Sequence, residues 1–385
     1  MTALAARTHE TVTFHAVELL KEASALTRSG IDIISLGVGE PDFTAAPRVV
    51  AGLDSAARAG KSGYSPPAGL TELREAIANF YTNQLGARVD PTRVIVTSGA
   101  SGALLLAAMA LINPGDEVLI PDPCYPPNRN FVGAAGGTTK LIPTSAASRF
   151  QLSAADIASH WGPQTRGVLI ASPSNPTGTS ITREELNRIF REVRARNGFV
   201  MMDEIYLSLS YDRAPQSALA LDDDIIILNS FSKYFNMTGW RLGWMIVPPH
   251  LVAPIEKMAA SLAICAPTLA QHGALECFHP ESLAIYETRR EAFHQRRDYL
   301  VPALTSLGIS VPVMPDGAFY VYADISAHAT DSSAFSAALL HGARVAAVAG
   351  LDFGPAHAAH TMRFAYTTSL ERLQEAIHRI KGFLS

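Results

Sequence analysis

The sequence predicts an α/β protein: a large domain with a mostly parallel central sheet between helices, joined to a smaller α+β domain. Three observations lead there. From about residue 90 to 230, short apolar runs of strand length recur, with helical segments between several of them. Apolar runs without polar alternation belong to strands covered on both faces, the arrangement of a parallel sheet. After about residue 281 the pattern changes to a long charged helix, then two apolar runs accompanied by helices. With 385 residues, 48% hydrophobic and 17% charged, the chain has the apolar content for two cores.

Residues 15–28 (HAVELLKEASALTR) carry apolar positions at helical spacing, and Gly30 is a stop. Ile31 to Leu36 reads as a strand that ends in the loop Gly37-Val38-Gly39-Glu40-Pro41. Leu70 to Phe80 reads as a helix after a proline-rich turn. Val94 to Thr97 is a buried strand, Gly99 to Gly102 a turn, and Ala103 to Ile112 a helix closed by Asn113-Pro114-Gly115. Further strands are expected at Glu117–Ile120, Gly167–Ala171, Phe199–Met202 and Ile225–Asn229, with a helix from Arg183 to Arg196. The long helix spans Glu281 to Leu307. Strands at Ala318–Tyr322 and Thr361–Tyr366 and helices at 332–342 and 369–383 follow it. The expected division is 45–280 for the large domain, with 1–44 and 281–385 together forming the small one.

Composition narrows the function. Basic and acidic residues number 31 and 35, a net charge of −4, so no nucleic-acid footprint is expected. No apolar stretch is long enough to span a bilayer, and Met1 to Glu10 lacks the apolar run of a signal peptide. Cys124, Cys265 and Cys277 form no CxxC pair, which suits a reducing, cytoplasmic setting. His357 and His360 lack a third ligand at useful spacing, so no metal site is expected. No helix-turn-helix extension of the kind a DNA-binding regulator requires is expected before the domain.

The chemistry concentrates in Ser230-Phe231-Ser232-Lys233-Tyr234-Phe235-Asn236-Met237-Thr238-Gly239-Trp240-Arg241-Leu242-Gly243. A lysine directly after a buried strand is partly desolvated, which disfavours its ammonium form. The neutral amine can then form a Schiff base with an aldehyde. Ser230 and Arg241 are donors suited to a phosphate dianion. Taken alone, an SxSK is an ordinary surface lysine. This segment, however, resembles the lysine signature of the class I/II aminotransferases, fold-type I enzymes that use pyridoxal 5'-phosphate (PLP). The resemblance runs from about Ser35 to Tyr366, with the motifs in the same order. It implies that Lys233 carries the cofactor and that Ser230 and Arg241 bind its phosphate.

The other motifs acquire roles through the same resemblance, although each also has an ordinary reading. Ser35 to Phe43 is similar to the family's N-terminal glycine loop, which implies that the Gly37 amide lies near the substrate carboxylate; alone it is a Gly-Pro turn. Tyr64, in Gly63-Tyr64-Ser65-Pro66-Pro67-Ala68-Gly69, matches a tyrosine that reaches the cofactor phosphate of the neighbouring subunit, implying a homodimer with shared sites. Gly99, Ala100 and Ser101 stand between strand and helix, where free amides and the helix dipole suit a phosphate. Tyr125 matches an aromatic that stacks on the pyridine ring, with core packing as its alternative. Asn175, in Ser174-Asn175-Pro176-Thr177-Gly178, and Tyr206 match donors to the cofactor's 3-oxygen. Asp203 matches the carboxylate that keeps the pyridine nitrogen protonated. Arg363, in Thr361 to Tyr366, matches the clamp on the substrate α-carboxylate, with a structural salt bridge as the other reading.

The implied activity is ping-pong transfer of an amino group from an L-amino acid to a 2-oxo acid, glutamate and 2-oxoglutarate being a usual exchange pair. The helix after the phosphate turn begins Gly102-Ala103-Leu104, without the lysine or glutamine of some aspartate-type relatives. Arg129 either reaches the substrate or faces solvent. Neutral aliphatic or aromatic donors remain open. Two rivals use the same scaffold: elimination at a C–S bond, and a non-catalytic effector-binding module.

Overall fold

The computed structural model describes every residue except Met1, Ala6, Thr13 and Phe14, together with the side chain of Glu10. Its strands are β1 Ile34–Ser35, β2 Val94–Thr97, β3 Glu117–Asp122, β4 Thr138–Pro143, β5 Thr165–Ala171, β6 Phe199–Asp203, β7 Ile226–Ser230, β8 Gly243–Ile246, β9 Tyr320–Asp324, β10 Val345–Ala346, β11 Val348–Ala349 and β12 Thr361–Ala365. The first helices are α1 Arg7–Glu10, α2 His15–Arg28, α3 Pro47–Arg58, α4 Thr71–Gln84, α5 Gly99–Leu111, α6 Pro127–Ala134 and α7 Ala154–His160. Then come α8 Arg183–Arg194, α9 Pro249–Ala263, α10 Thr268–Leu275, α11 Pro280–Ser306, α12 Ser332–Ala338 and α13 Leu370–Leu384.

Seven strands form the central sheet in the order β2-β8-β7-β6-β5-β3-β4. β8 is antiparallel to both neighbours, and the remaining pairs are parallel. Successive side chains of a strand point to opposite faces, and here both faces are apolar. Val168 and Ile170 enter one cluster while Leu169 enters the other; Met202 and Met201 divide in the same way. Helix α5 (GASGALLLAAMAL) is apolar around its circumference, as a helix buried on several sides must be. It packs on β7, β8, α6 and α9. Helix α8 is amphipathic: Thr182 caps it by accepting from the Glu185 N–H, with acids in the first turn and arginines in the last. Its buried face, Leu186, Ile189, Phe190 and Val193, covers the sheet beside β6.

Two small sheets, β1-β10 and β11-β12-β9, come from the two ends of the chain. Helix α2 packs on β10 and β11, and α13 packs on α11. The glycine loop is anchored to α11 by Arg296, which holds Asp42 with two bonds of 2.7 and 2.8 Å.

The structure modifies several expectations. The strand expected over Ile31–Leu36 shrinks to two residues, because β10 offers only two partners and Asp32 turns out to Arg372 and Arg379. Helix α5 begins at Gly99 rather than at Ala103, so the expected turn is already its first turn. Strands β4 and β8 were not anticipated: β4 is a partly exposed edge strand, and β8 begins with a glycine and a tryptophan.

Trp244 is fully buried, with ring centroids 4.8 Å from Phe231 and 6.4 Å from Tyr81. Trp244→Ala is expected to lower the unfolding free energy by about 3–5 kcal/mol. A denaturant midpoint no lower than that of the parent chain would contradict this packing.

Candidate active site

β2, β3, β5, β6 and β7 end at one edge of the central sheet, and β8 begins there because it runs the opposite way. Ligand crevices in such sheets form outside the strands' carboxyl ends. At this edge Gly37, Ala100, Ser101, Tyr125, Asn175, Asp203, Tyr206, Ser230, Lys233, Arg241 and Arg363 line one cavity of about 240 Å³. Of the residues singled out from sequence, Gly99 and Tyr64 are not in its lining. Gly99 lies directly behind Arg241, and Tyr64 is 82% exposed.

One end of the cavity is built to hold an anion. Helix α5 starts here with the N–H groups of its first turn unpaired by geometry. Gly99 has φ +74°, and a Cβ on it would lie 2.5 Å from the Arg241 guanidinium, so only glycine lets the arginine pack there. A Cβ on Gly243 would lie 2.6–2.8 Å from the backbone of Gly99, Ala100 and Asn229, so a second glycine lets α5 approach the sheet. The Ser230 hydroxyl lies 3.0 Å from the Leu242 carbonyl and 2.9 Å from Ser232 Oγ, and it accepts from the Ser232 N–H. Arg241 donates to the Thr238 carbonyl at 3.0 Å.

Lys233 and Asp203 lie in the middle. Lys233 Nζ donates to the Gly39 carbonyl at 2.7 Å. Burial, reinforced by Arg363 and Arg241, pushes its ammonium down from 10.5 to about 8. Asp203 ends β6 and accepts from the Ile205 N–H at 3.0 Å. Burial pushes its carboxyl up to about 6 against that bond and the pull of Lys233. The next acid, Glu204, is absorbed elsewhere, accepting from the Ser217 hydroxyl and from the Ala218 N–H at 2.7 Å. Asp203 is therefore the acid that faces the cavity. Tyr125 is half-buried, and its desolvation pushes the phenol up to about 12.

At the far end, Arg363 is 2% exposed. It donates to Asn175 Oδ1 and to the Gly37 carbonyl, each at 2.8 Å. Its guanidinium lies 4.4 Å from the Tyr320 ring centroid and 5.0 Å from that of Phe353. Nε has no partner among the described residues. None of the ion pairs among those residues includes Arg363, so the structural salt-bridge reading finds no acid. A buried guanidinium without a carboxylate is costly unless an anion joins it.

Sequence reasoning passed over several lining residues: Ala16, Val17, Leu20, Leu104, Ile205, Ser232 and Tyr320. The repeated serine of the SxSK segment is a signal for Ser232. Ala16, Val17 and Leu20 belong to a recognised helix, but nothing local shows what that helix faces. Asp352 fixes its position by accepting from the His15 and Ala16 N–H groups at 2.7 and 2.6 Å. Arg129 turns away and donates to the Asp352 carbonyl at 3.0 Å. His357 lies against the Thr144 carbonyl, and no cluster of metal-ligating side chains occurs among the described residues. Cys124 is buried, which pushes its thiol up to about 12, away from nucleophilic use.

The donor set fits PLP. It offers a phosphate cradle at the start of α5, a carboxylate at strand depth for a ring nitrogen, an aromatic residue, and an amine of lowered basicity. The family profile described as aminotransferase class I and II matches residues 31–380. The valine–pyruvate aminotransferase of Mycobacterium tuberculosis is 37% identical over 373 residues, 96% of each chain. A solved aminotransferase from Mycobacterium tuberculosis superposes with a TM-score of 0.96 at 36% identity, covering 100% of this chain and 99% of that one. The aspartate aminotransferase of Thermus thermophilus, solved with maleate, superposes with a TM-score of 0.94 at 34% identity, covering both chains completely. The chain therefore belongs to the class I and II aminotransferases, PLP-dependent transferases of fold type I.

Proposed function

We propose that the cavity at the strand ends is the transamination site and that its residues divide the work as follows. The observation that carries this reading is Arg363, a buried guanidinium with no acid partner among the described residues, facing the same cavity as Lys233 and Asp203. Bound PLP supplies an aldehyde carbon and a ring that accepts the electrons of the substrate's Cα–H bond. The α5 amides from Gly99 and Ala100, with Ser101, Ser230, Ser232 and Arg241, hold the phosphate. Asp203 keeps a proton on the ring nitrogen. Tyr125 covers one ring face, and Asn175 and Tyr206 bond the 3-oxygen. Arg363 clamps the substrate α-carboxylate beside the Gly37 loop with two parallel bonds. Lys233 gives up its bond to Gly39, takes the proton from the substrate Cα and delivers it across the shared nitrogen to the former aldehyde carbon; water then releases the 2-oxo acid and the amino group stays behind. A 2-oxo acid then takes the same carboxylate position, and the amino group passes to it.

The donor is a neutral amino acid with an apolar side chain. Ala16, Val17, Leu20, Leu104 and Ile205 belong to the apolar part of the lining. Its arginines are Arg241, at the phosphate end, and Arg363. Arg129, the other cation considered, is held on Asp352. The valine–pyruvate relative is in keeping with this class.

The same proposal takes 45–280 as the large domain and 1–44 with 281–385 as the small one. It also takes the working unit as a cytoplasmic homodimer in which Tyr64 reaches the partner's phosphate. A tyrosine left 82% exposed is in keeping with a partner-facing position, and three unpaired cysteines suit the compartment. No helix among the described residues is long and apolar enough to cross a membrane.

Three outcomes are expected. Lys233→Ala keeps its circular dichroism spectrum but loses at least about 1000-fold in turnover, and Arg363→Gln loses about 100-fold in kcat/KM. A donor panel followed by loss of visible absorbance in a single turnover should rank apolar donors above aspartate. Ammonia release without an oxo acid would instead mark elimination. Second, the Asp203 carboxyl is raised above its unfolded value, so its ionisation weakens the cofactor-free protein as pH rises through about 6. Cofactor-free Asp203→Asn is therefore expected to be more stable than the parent at pH 7.5, by roughly 3 kcal/mol, and to lose that advantage by pH 4. Thermal melts at both pH values check the sign, and the same variant should bind PLP more weakly. Third, mixing inactive Lys233→Ala with Tyr64→Ala should restore activity through hybrid dimers. Mixtures no more active than their parts would refute the shared site.

A further inference from the structure

Tyr320 has no part in the roles assigned above, yet it touches both the middle of the cavity, at Tyr206, and the end that holds Arg363. It opens β9, is 1% exposed, and lines the cavity. Its hydroxyl lies 2.9 Å from the Tyr206 hydroxyl. Its ring face lies under the Arg363 guanidinium, 4.4 Å from centroid to Cζ. The hydroxyl also closes on the glycine loop, since a Cβ on Gly39 would lie 2.4 Å from it. The Gly39 carbonyl in turn accepts from Lys233. One side chain from β9 therefore meets Tyr206, which follows β6, Arg363 on β12, and the loop that receives Lys233.

A phenol has one proton to donate. If Tyr206 gives that proton to Tyr320, it can only accept at the 3-oxygen of the cofactor, where negative charge gathers. If Tyr320 donates, the Tyr206 proton is free for that oxygen, and its donation is strengthened by the bond behind it. The ring below Arg363 has a separate effect. A guanidinium over an aromatic face is attracted to it and kept flat, the posture needed for a two-bond grip on a carboxylate.

We propose that Tyr320 is a positioning residue with two functions: its hydroxyl donates to Tyr206 and orients that phenol toward the cofactor's 3-oxygen, and its ring is the platform that holds Arg363 for the α-carboxylate. This rests on the assignment of Tyr206 and Arg363 above. The charged and titratable groups facing the phenol pair are Tyr125 after β3, Lys233 after β7, and Arg363 on β12.

The two functions are separated by two substitutions in the holoenzyme. Tyr320→Phe keeps the platform and loses the bond. A weaker donor at the 3-oxygen leaves that oxygen with a stronger hold on the neighbouring nitrogen's proton. The pH midpoint of the cofactor's visible absorbance is therefore expected to rise by about half a unit, in the same direction as in Tyr206→Phe but by less. KM for the amino donor stays within about two-fold. Tyr320→Leu removes the platform as well, and KM is expected to rise about five- to ten-fold, more than kcat falls. A midpoint moved by Tyr206→Phe but not by Tyr320→Phe overturns the hydroxyl's function. A midpoint unmoved by either removes the Tyr206 reading beneath it. Equal KM values for Tyr320→Leu and Tyr320→Phe overturn the platform.

Discussion

In the central sheet β8 runs against β7, with Ser230 opposite Gly243. That reversal is the constraint on which the site depends. A parallel strand would need a crossover and would begin at the far edge of the sheet. Because β8 is antiparallel, the chain leaves β7, presents Lys233, and re-enters within a short loop that also presents Arg241. The amine and the phosphate-end guanidinium are therefore held by the same two strands. Gly243 adds the third component, since its missing side chain is the space in which α5 begins.

Burial then sets the electrostatics. The same desolvation lowers Lys233 and raises Asp203, each toward neutrality. In the free protein this opposes ionisation; under the roles proposed above, a ring nitrogen at Asp203 and a carboxylate at Arg363 would compensate the charges. Arg363 is the clearest instance: it is buried, flanked by two aromatic rings, and bonded only to neutral oxygens. A buried guanidinium with no acid partner among the described residues is what sets this cavity apart from a packed core.

Much of this was legible in the sequence because the chemistry sits immediately after strands. Val94–Thr97 matched its strand to the residue, and Asp203, Ser230 and Lys233 followed directly from strand ends. What stayed hidden depends on long-range register. The reversal of β8 has no local signal. The strand at residues 31–36 was overestimated because its length is set by β10, more than three hundred residues away. Tyr320 reads as one more core aromatic until β9 is paired with β12. Arg129 was ambiguous because its partner, Asp352, lies 223 residues away.

Helix α2 comes before every strand in the chain, yet Ala16, Val17 and Leu20 form part of the cavity wall. That wall is attached through Asp352 and the β10–β11 edge, with no bond to Lys233 or Asp203 among the described residues. Under the roles proposed above, side-chain selection and proton handling would reside in separately anchored pieces, so that one could diverge while the other is preserved.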